Sequence, residues 1–317
     1  MAMNFWEAQR RAKSWTKVYL VAFIVMTFVV AVGAEILVRQ WAGPDYQESF
    51  PIVASVFLVV TFGTALYQWS CYSAFGGSYV AESLGGRLAL PESPDMKERQ
   101  LLNIVEEVAV ASALPVPPVY IIDAQQINAF AAGLTQDKAA IAVTRGALEL
   151  LNRDELQGVI AHEFGHVANG DMRMSMHLSA MLMGFFIILY LAFRMMSMTS
   201  MRRDSNEKGG NPIMVAALVL MIAGAVTWLF GSILRAMVSR EREYLADATS
   251  VQFTRNPAGL ANALRKIEAE HGKVSDMPKE GMAFSHMYFD HPSFLGGIFA
   301  THPPVEKRIA AIEGREG

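Results

Sequence analysis

Four stretches of the chain are almost continuously apolar: Val18 to Val38, Ile52 to Trp69, His177 to Phe193, and Ile213 to Leu234. Crossing the hydrocarbon core of a bilayer takes roughly 20 mostly apolar residues, with about 17 as the lower end. The first and fourth stretches meet that length, the second is bounded by Pro51, and the third is the shortest. They predict four membrane-associated helices arranged as two hairpins. The first stretch is too long for the apolar core of a cleaved signal peptide and lacks a small-residue cleavage site. Glu35 lies near its far end, where the membrane interface tolerates a charge.

The polar remainder follows other periods. "SPDMKERQLLNIVEEVAVASAL" repeats apolar residues at helical spacing and predicts a helix with Ser93 as its cap and Pro94 in its first turn. "VYIID", "INAFAAGL" and "KAAIAV" are short β-rich runs between polar breaks and predict a small sheet. "TRGALELL" predicts a short helix. In "NRDELQGVIAHEFGHVANGD", Asn152 and Glu155 have capping-box spacing, and Gly170 stops the helix after about Asn169. Beyond the fourth apolar stretch, "LRAMVSREREYLADATSVQF" continues as a polar helix to Asn256-Pro257. "PAGLANALRKIEAEHG" and the amphipathic "VEKRIAAIEG" predict two more helices.

Charge sets the orientation. Arg10, Arg11, Lys13 and Lys17 precede the first stretch, whereas the short loop after it has only Arg39. By the positive-inside rule the N-terminus is cytoplasmic, and so is the long segment from Ser70 to Met176. Trp15, Trp41 and Trp69 sit where interfacial aromatics belong. The second hairpin is expected to span despite Arg194, Arg202, Arg203 and Lys208 in or beside its loop. The expected division is a transmembrane hairpin (1–70), a cytoplasmic part (71–176), a second membrane hairpin (177–234) and a C-terminal part (235–317). With 52% hydrophobic and 18% charged residues in 317, an ordinary soluble globule is disfavoured. A net charge of −3 gives no footprint for nucleic acid. The single cysteine, Cys71, excludes an internal disulfide and a thiolate metal site.

The chemistry concentrates in "HEFGH". Residues four apart share a helical face, so His162 and His166 can direct imidazole nitrogens to one zinc ion. Glu163 points partly away from that face, placed to take a proton from water that zinc acidifies and to pass it to the leaving amine. A third ligand is required. The pattern with a third histidine on the same segment would need glycine at position 169 and histidine at position 172, where the chain has Asn169 and Met172. A carboxylate on another helix is the usual substitute, and "SREREYLADA" offers Glu243 and Asp247 four apart on one face. One can bind zinc while the other steadies a histidine; Glu241 lies off that face. His286 and His291 lack a paired helical spacing.

"HEFGHVANGDM", "SREREYLADA" and "THPPVEKRI", in that order, resemble the HtpX family of bacterial membrane zinc proteases, itself similar to the CaaX prenyl-protein endopeptidases. The likeness covers most of the chain, "NAFAAG" included, and weakens across Lys273 to Ala300. It implies that Glu243 is the third zinc ligand and that Asp247 supports the site. It places His302 and Arg308 near the active site, where either can stabilise an oxyanion. It makes Asn128, Ala129 and Phe130 an edge strand that holds substrate. The fold implied is a mainly α integral membrane protein with a zincin-like catalytic domain and a small β-sheet. The function implied is a zinc-dependent endopeptidase of the bacterial inner membrane, facing the cytoplasm and degrading misfolded or damaged membrane proteins. Two other readings stand beside it: a processing peptidase for lipidated C-termini, and a non-catalytic scaffold, against which the intact Glu163 argues.

Overall fold

The structure, a computed structural model, describes residues 5–41, 50–200, 212–270 and 303–314. Its residues group into two compact units. One comprises Lys13–Trp69 and Leu178–Leu234. The other comprises Ser70–His177 and Arg235–Gly317, with Met1–Ala12, as far as these are described.

All four apolar stretches lie in helices longer than themselves: α1 (Phe5–Trp41), α2 (Ile52–Ser83), α6 (Asp171–Ser200) and α7 (Pro212–Thr254). Each contains a segment long and apolar enough to cross a membrane, namely Val21–Trp41, Ile52–Ser83, Asp171–Met198 and Ile213–Gly231. Lipid tails are as apolar as leucine, so such helices are held by close packing and internal polar contacts. Both occur in the apolar unit. Phe185 stacks on Phe23 at 5.0 Å and lies 6.3 Å from Phe57 between ring centroids. Glu35, near the far end of the first stretch, is buried. Its carboxylate accepts the Val53 and Ala54 backbone N–H groups at 2.9 and 3.1 Å and pairs with Arg39 at 2.8 Å. Those amides belong to the first turn of α2, which has no intrahelical acceptor for them, so the carboxylate caps one helix from another.

The second unit is built on a four-stranded sheet: β1 (Arg87–Leu88), β2 (Val119–Ile122), β3 (Ala129–Ala132) and β4 (Ala140–Thr144), in the order β1-β2-β4-β3. β2 and β4 run parallel; β1 and β3 are antiparallel edges. Three strands fall on the predicted runs, and β1 is additional. Against the sheet lie α4 (Arg145–Leu150) and α5 (Arg153–Asn169); α3 (Met96–Ser112) and α8 (Pro257–Glu270) pack on α5, with α9 (Val305–Ile312) on α8. The shared core includes Leu101, Ile104, Ile141, Ile160, Phe164 and Leu260, all fully buried.

α3 starts later than expected. Asp95, not Ser93, is its cap and accepts the Lys97 N–H at 2.8 Å. The Ser93 hydroxyl instead donates to Glu98 at 2.7 Å, so the serine serves an ion cluster and leaves the cap to the carboxylate two residues on. α5 has the predicted limits. Asn152 and Glu155 form a reciprocal capping box, and Gly170 closes the helix at φ 72° and ψ 21°, left-handed values that glycine adopts without strain. α7 runs unbroken from the fourth apolar stretch through "SREREYLADA" into the second unit.

Candidate metal centre

α5 is buried nearly all round, and its sequence explains how it carries polar groups there. The capping box fixes its start, Phe164 and Ile160 anchor it in the core, and Gly165 faces α7. A Cβ at Gly165 would stand 3.1 Å from the Ala246 backbone, a tight contact, so the glycine eases the close approach of α5 and α7. That approach brings Glu243 of α7 to the two histidines of α5. His162 and Glu163 are buried, and the His166 side chain is only partly so.

The geometry among these groups is specific. His162 Nε2 stands 3.6 Å from one Glu243 carboxylate oxygen, and His166 Nε2 stands 3.5 Å from the other. Both separations are long for hydrogen bonds, which centre near 2.7–3.0 Å. They are close to the spacing of ligands around one ion: atoms each about 2.1 Å from a tetrahedral zinc lie about 3.4 Å apart. One atom from each of His162, His166 and Glu243 fits within 4.8 Å of the others. The opposite ring nitrogens look to carboxylates. His162 Nδ1 is 2.9 Å from Asp247 Oδ1, and His166 Nδ1 is 3.4 Å from Asp171 Oδ2. A proton held on each Nδ1 leaves the Nε2 lone pair directed at the shared point. Two imidazoles and a carboxylate are a fitting donor set for zinc with a fourth position open.

Arg308, on α9, is fully buried behind Asp247. Its Nε and Nη2 donate to the two Asp247 oxygens at 2.9 and 2.6 Å, and its Nη1 is 3.3 Å from Glu243. The electrostatics follow. Burial works against the Asp247 carboxylate, but Arg308 outweighs it and lowers its pKa. Burial also opposes charge on the imidazoles, yet Asp247 and Glu243 raise that of His162, and Asp171 and Glu243 raise that of His166 well above its ordinary value. Such a surplus of carboxylate around two imidazoles favours a cation between them. The pKa of Glu163 is raised chiefly by burial, against the pull of the imidazoles.

Glu163 also meets the sheet. Asn128 and Thr144 pair through Thr144 N–H donating to Asn128 O at 3.0 Å, so by antiparallel alternation the Ala129 and Ala131 backbones face away from β4, toward the edge. The Ala131 N–H is directed at Glu163, and the Ala129 N–H donates to Asn128 Oδ1 at 2.9 Å. The structure therefore brings His162, Glu163, His166, Glu243, Asp247 and Arg308 together, with Ala129 and Phe130 in an edge strand against α5. Glu241 carries no described side chain, and His286, His291 and His302 lie outside the described residues.

Sequence reasoning passed over Asp171 and Arg242. Asp171 Oδ1 is 3.2 Å from Arg242 Nη1, and both side chains are nearly buried. Their signals were positional: Asp171 follows the Gly170 stop, and Arg242 directly precedes Glu243.

The chain has clear relatives among known proteins. The family model described as Peptidase family M48 matches residues 95–316. A "Protease HtpX homolog" of Caldanaerobacter subterraneus subsp. tengcongensis is 36% identical over 309 residues, 96% of each chain. One of Streptococcus uberis is 32% identical over 297 residues, 92% of this chain and 93% of that one. One of Bacteroides fragilis is 34% identical over 254 residues, 77% of this chain and 76% of that one. The crystal structure of S. mikatae Ste24p aligns at 16% identity over 82% of this chain and 62% of that chain with a TM-score of 0.44, too slight a likeness to bear on the fold.

Proposed function

The chain belongs to peptidase family M48, among the HtpX proteases, and from that premise we propose that it is a zinc-dependent endopeptidase of the bacterial inner membrane. The observation that carries the reading is the convergence of His162 Nε2, His166 Nε2 and the Glu243 carboxylate at ligand spacing, with Glu163 in the next position along the same helix. Zinc, when bound, supplies Lewis acidity and lowers the pKa of water toward neutrality. The residues do the rest. Glu163, with its pKa raised by burial, accepts a proton from the attacking water and returns it to the departing amine.

Asn128, Ala129 and Phe130 hold the substrate. With the Ala129 and Ala131 N–H groups engaged by Asn128 and Glu163, the outward-facing carbonyls of β3 are the groups that receive an extended peptide by strand addition, a mode that reads main chain more than side chain. That suits a peptidase acting on unfolded segments. Its clients are misfolded or damaged membrane proteins, and the site faces the cytoplasm, as the lysines and arginines before the first span suggest. Arg308, enclosed by Asp247 and Glu243, acts by holding those carboxylates in place. His302 is the candidate donor to the oxyanion.

The test is proteolysis of an unfolded protein in detergent by wild type and Glu163→Gln, each stripped with chelator and resupplied with zinc. Wild type should regain cleavage with zinc, and the variant should bind one zinc per chain yet cleave about 10²–10⁴-fold more slowly, the usual worth of a general base. A zinc-loaded wild type as inert as the variant would defeat the peptidase reading in favour of a scaffold.

A further inference from the structure

The two ligand histidines are braced in the same way. For His162, Asp247 faces Nδ1 and Arg308 grips Asp247, with side chains only 1–3% exposed. For His166, Asp171 faces Nδ1 at 3.4 Å and Arg242 holds Asp171 at 3.2 Å. Arg242 also reaches the Asp171 carbonyl oxygen at 3.5 Å and the Met174 sulfur at 2.9 Å. Gly170, in a left-handed conformation, ends α5, and the next residue, Asp171, reaches His166.

We propose that Asp171 and Arg242 are positioning residues for the metal, a second aspartate–arginine brace that fixes the ring orientation and tautomer of His166. The proposal rests on the zinc site described above. An aspartate at Nδ1 can only accept, so the imidazole carries its proton there and offers Nε2 to the ion. Arg242 directly precedes Glu243, so the brace also ties the second histidine to the segment that delivers the third ligand. It is the looser of the two braces: its side chains are 10–18% exposed and its distances longer. His166 is accordingly the ligand held less firmly, and loss of its brace costs less than loss of the brace on His162.

An asparagine at 171 could turn its amide N–H toward Nδ1 and drive the proton onto Nε2, where the ion binds. The experiment measures zinc affinity of the full-length protein in detergent by competition with a chromophoric chelator. It also records the visible spectrum with Co²⁺ in place of zinc, which reports ligand geometry independently of activity. Asp171→Asn should weaken zinc binding by about 10-fold, the low end of the effect of such supporting residues, and should alter the Co²⁺ spectrum. Asp171→Glu, which restores the carboxylate, should recover most of that loss, and the melting of the metal-free protein should not distinguish the two.

Wild-type zinc affinity in Asp171→Asn would overturn the proposal, and so would equal losses in the two variants, which would mark position 171 as a packing site. Should Asp171→Asn not fold, Arg242→Met decides: weaker zinc binding supports the brace, and unchanged binding ends it. A wild type that holds no zinc defeats the zinc-peptidase reading and the brace together, whereas a zinc-loaded wild type beside an indifferent Asp171→Asn defeats the brace alone.

Discussion

Glu98 and Glu243 are both carboxylates buried against arginine in the same unit, and they are satisfied in different ways. Glu98 takes Ser93 Oγ at 2.7 Å, Arg145 Nη2 at 2.8 Å and Arg87 Nη1 at 3.2 Å, with a second Arg87 contact beside them. Every donor around it is within hydrogen-bond reach, and the cluster is closed. Glu243 meets Arg308 at 3.3 Å and two imidazole nitrogens at 3.5 and 3.6 Å, contacts longer than those around Glu98. A buried carboxylate in a purely structural cluster contracts onto its donors, because incomplete pairing costs desolvation energy that nothing returns. Spacing that stays open by a few tenths of an ångström, shared by three ligand-type atoms, is what an ion requires. The first cluster holds the chain together; the second sets one atom each of His162, His166 and Glu243 within 4.8 Å of one another, a spacing that suits a shared ion.

The largest effect separating them should come from Glu243→Gln. The amide keeps the shape but loses the charge, and zinc binding should fall by more than about 100-fold, beyond the range that supporting residues reach, with proteolysis lost. Metal analysis after dialysis would check this; a Glu243→Gln protein that retained one zinc per chain would return Glu243 to the structural kind. Asp247→Asn comes next. It should leave the ligands in place and weaken zinc by roughly 10–100-fold, more than Asp171→Asn does.

Glu98→Gln provides the opposite pattern. Zinc affinity should stay at the wild-type value, since Glu98 makes its bonds to residues of β1, α4 and the approach to α3. Stability should fall by about 2–3 kcal/mol, the cost of removing one member of a largely buried pair discounted for the partly exposed arginines, a loss of roughly 5–10 °C in Tm. A Glu98→Gln protein that loses zinc while melting normally would erase the distinction.

Much of this was legible beforehand, and the exceptions share a cause. The helix carrying His162, Glu163 and His166 announces itself locally: a cap at Asn152, a partner at Glu155, a stop at Gly170 and a four-residue histidine spacing. The four apolar stretches read as helices because length and hydropathy are also local. What escaped was long-range. The Glu98 cluster draws on residues 87, 93 and 145, which share no period with it, and recruiting Ser93 moved the start of α3 to Asp95. β1 is two residues long, too short to show alternation. Asp171 was hidden because it lies just past a helix stop, and Arg242 because a neighbour of a ligand points to another face. Arg308 was visible only as part of a familiar motif, and its position behind Asp247 follows from the packing of α9.

The smallest separating effect is in acid. Arg87, by hydrogen bond, with support from Ser93 and Arg145, holds the Glu98 carboxyl down at about 2 against its ordinary 4.5, despite burial. A carboxyl whose pKa is lower in the folded than in the unfolded chain contributes stability that is fully present above the unfolded value and is lost as pH falls through the folded one. The contribution of Glu98 is therefore complete above about pH 4.5 and decays between 4.5 and 2. Melting of the metal-free protein across that window, wild type against Glu98→Gln, should show two curves that lie apart at pH 5 and converge as pH approaches 2. Using metal-free protein removes the proton competition at His162 and His166, so the convergence reports the closed cluster alone. Curves that stayed parallel down to pH 2 would mean that the carboxyl ionises no more readily in the fold than out of it. The contrast with Glu243 would then rest on distance alone.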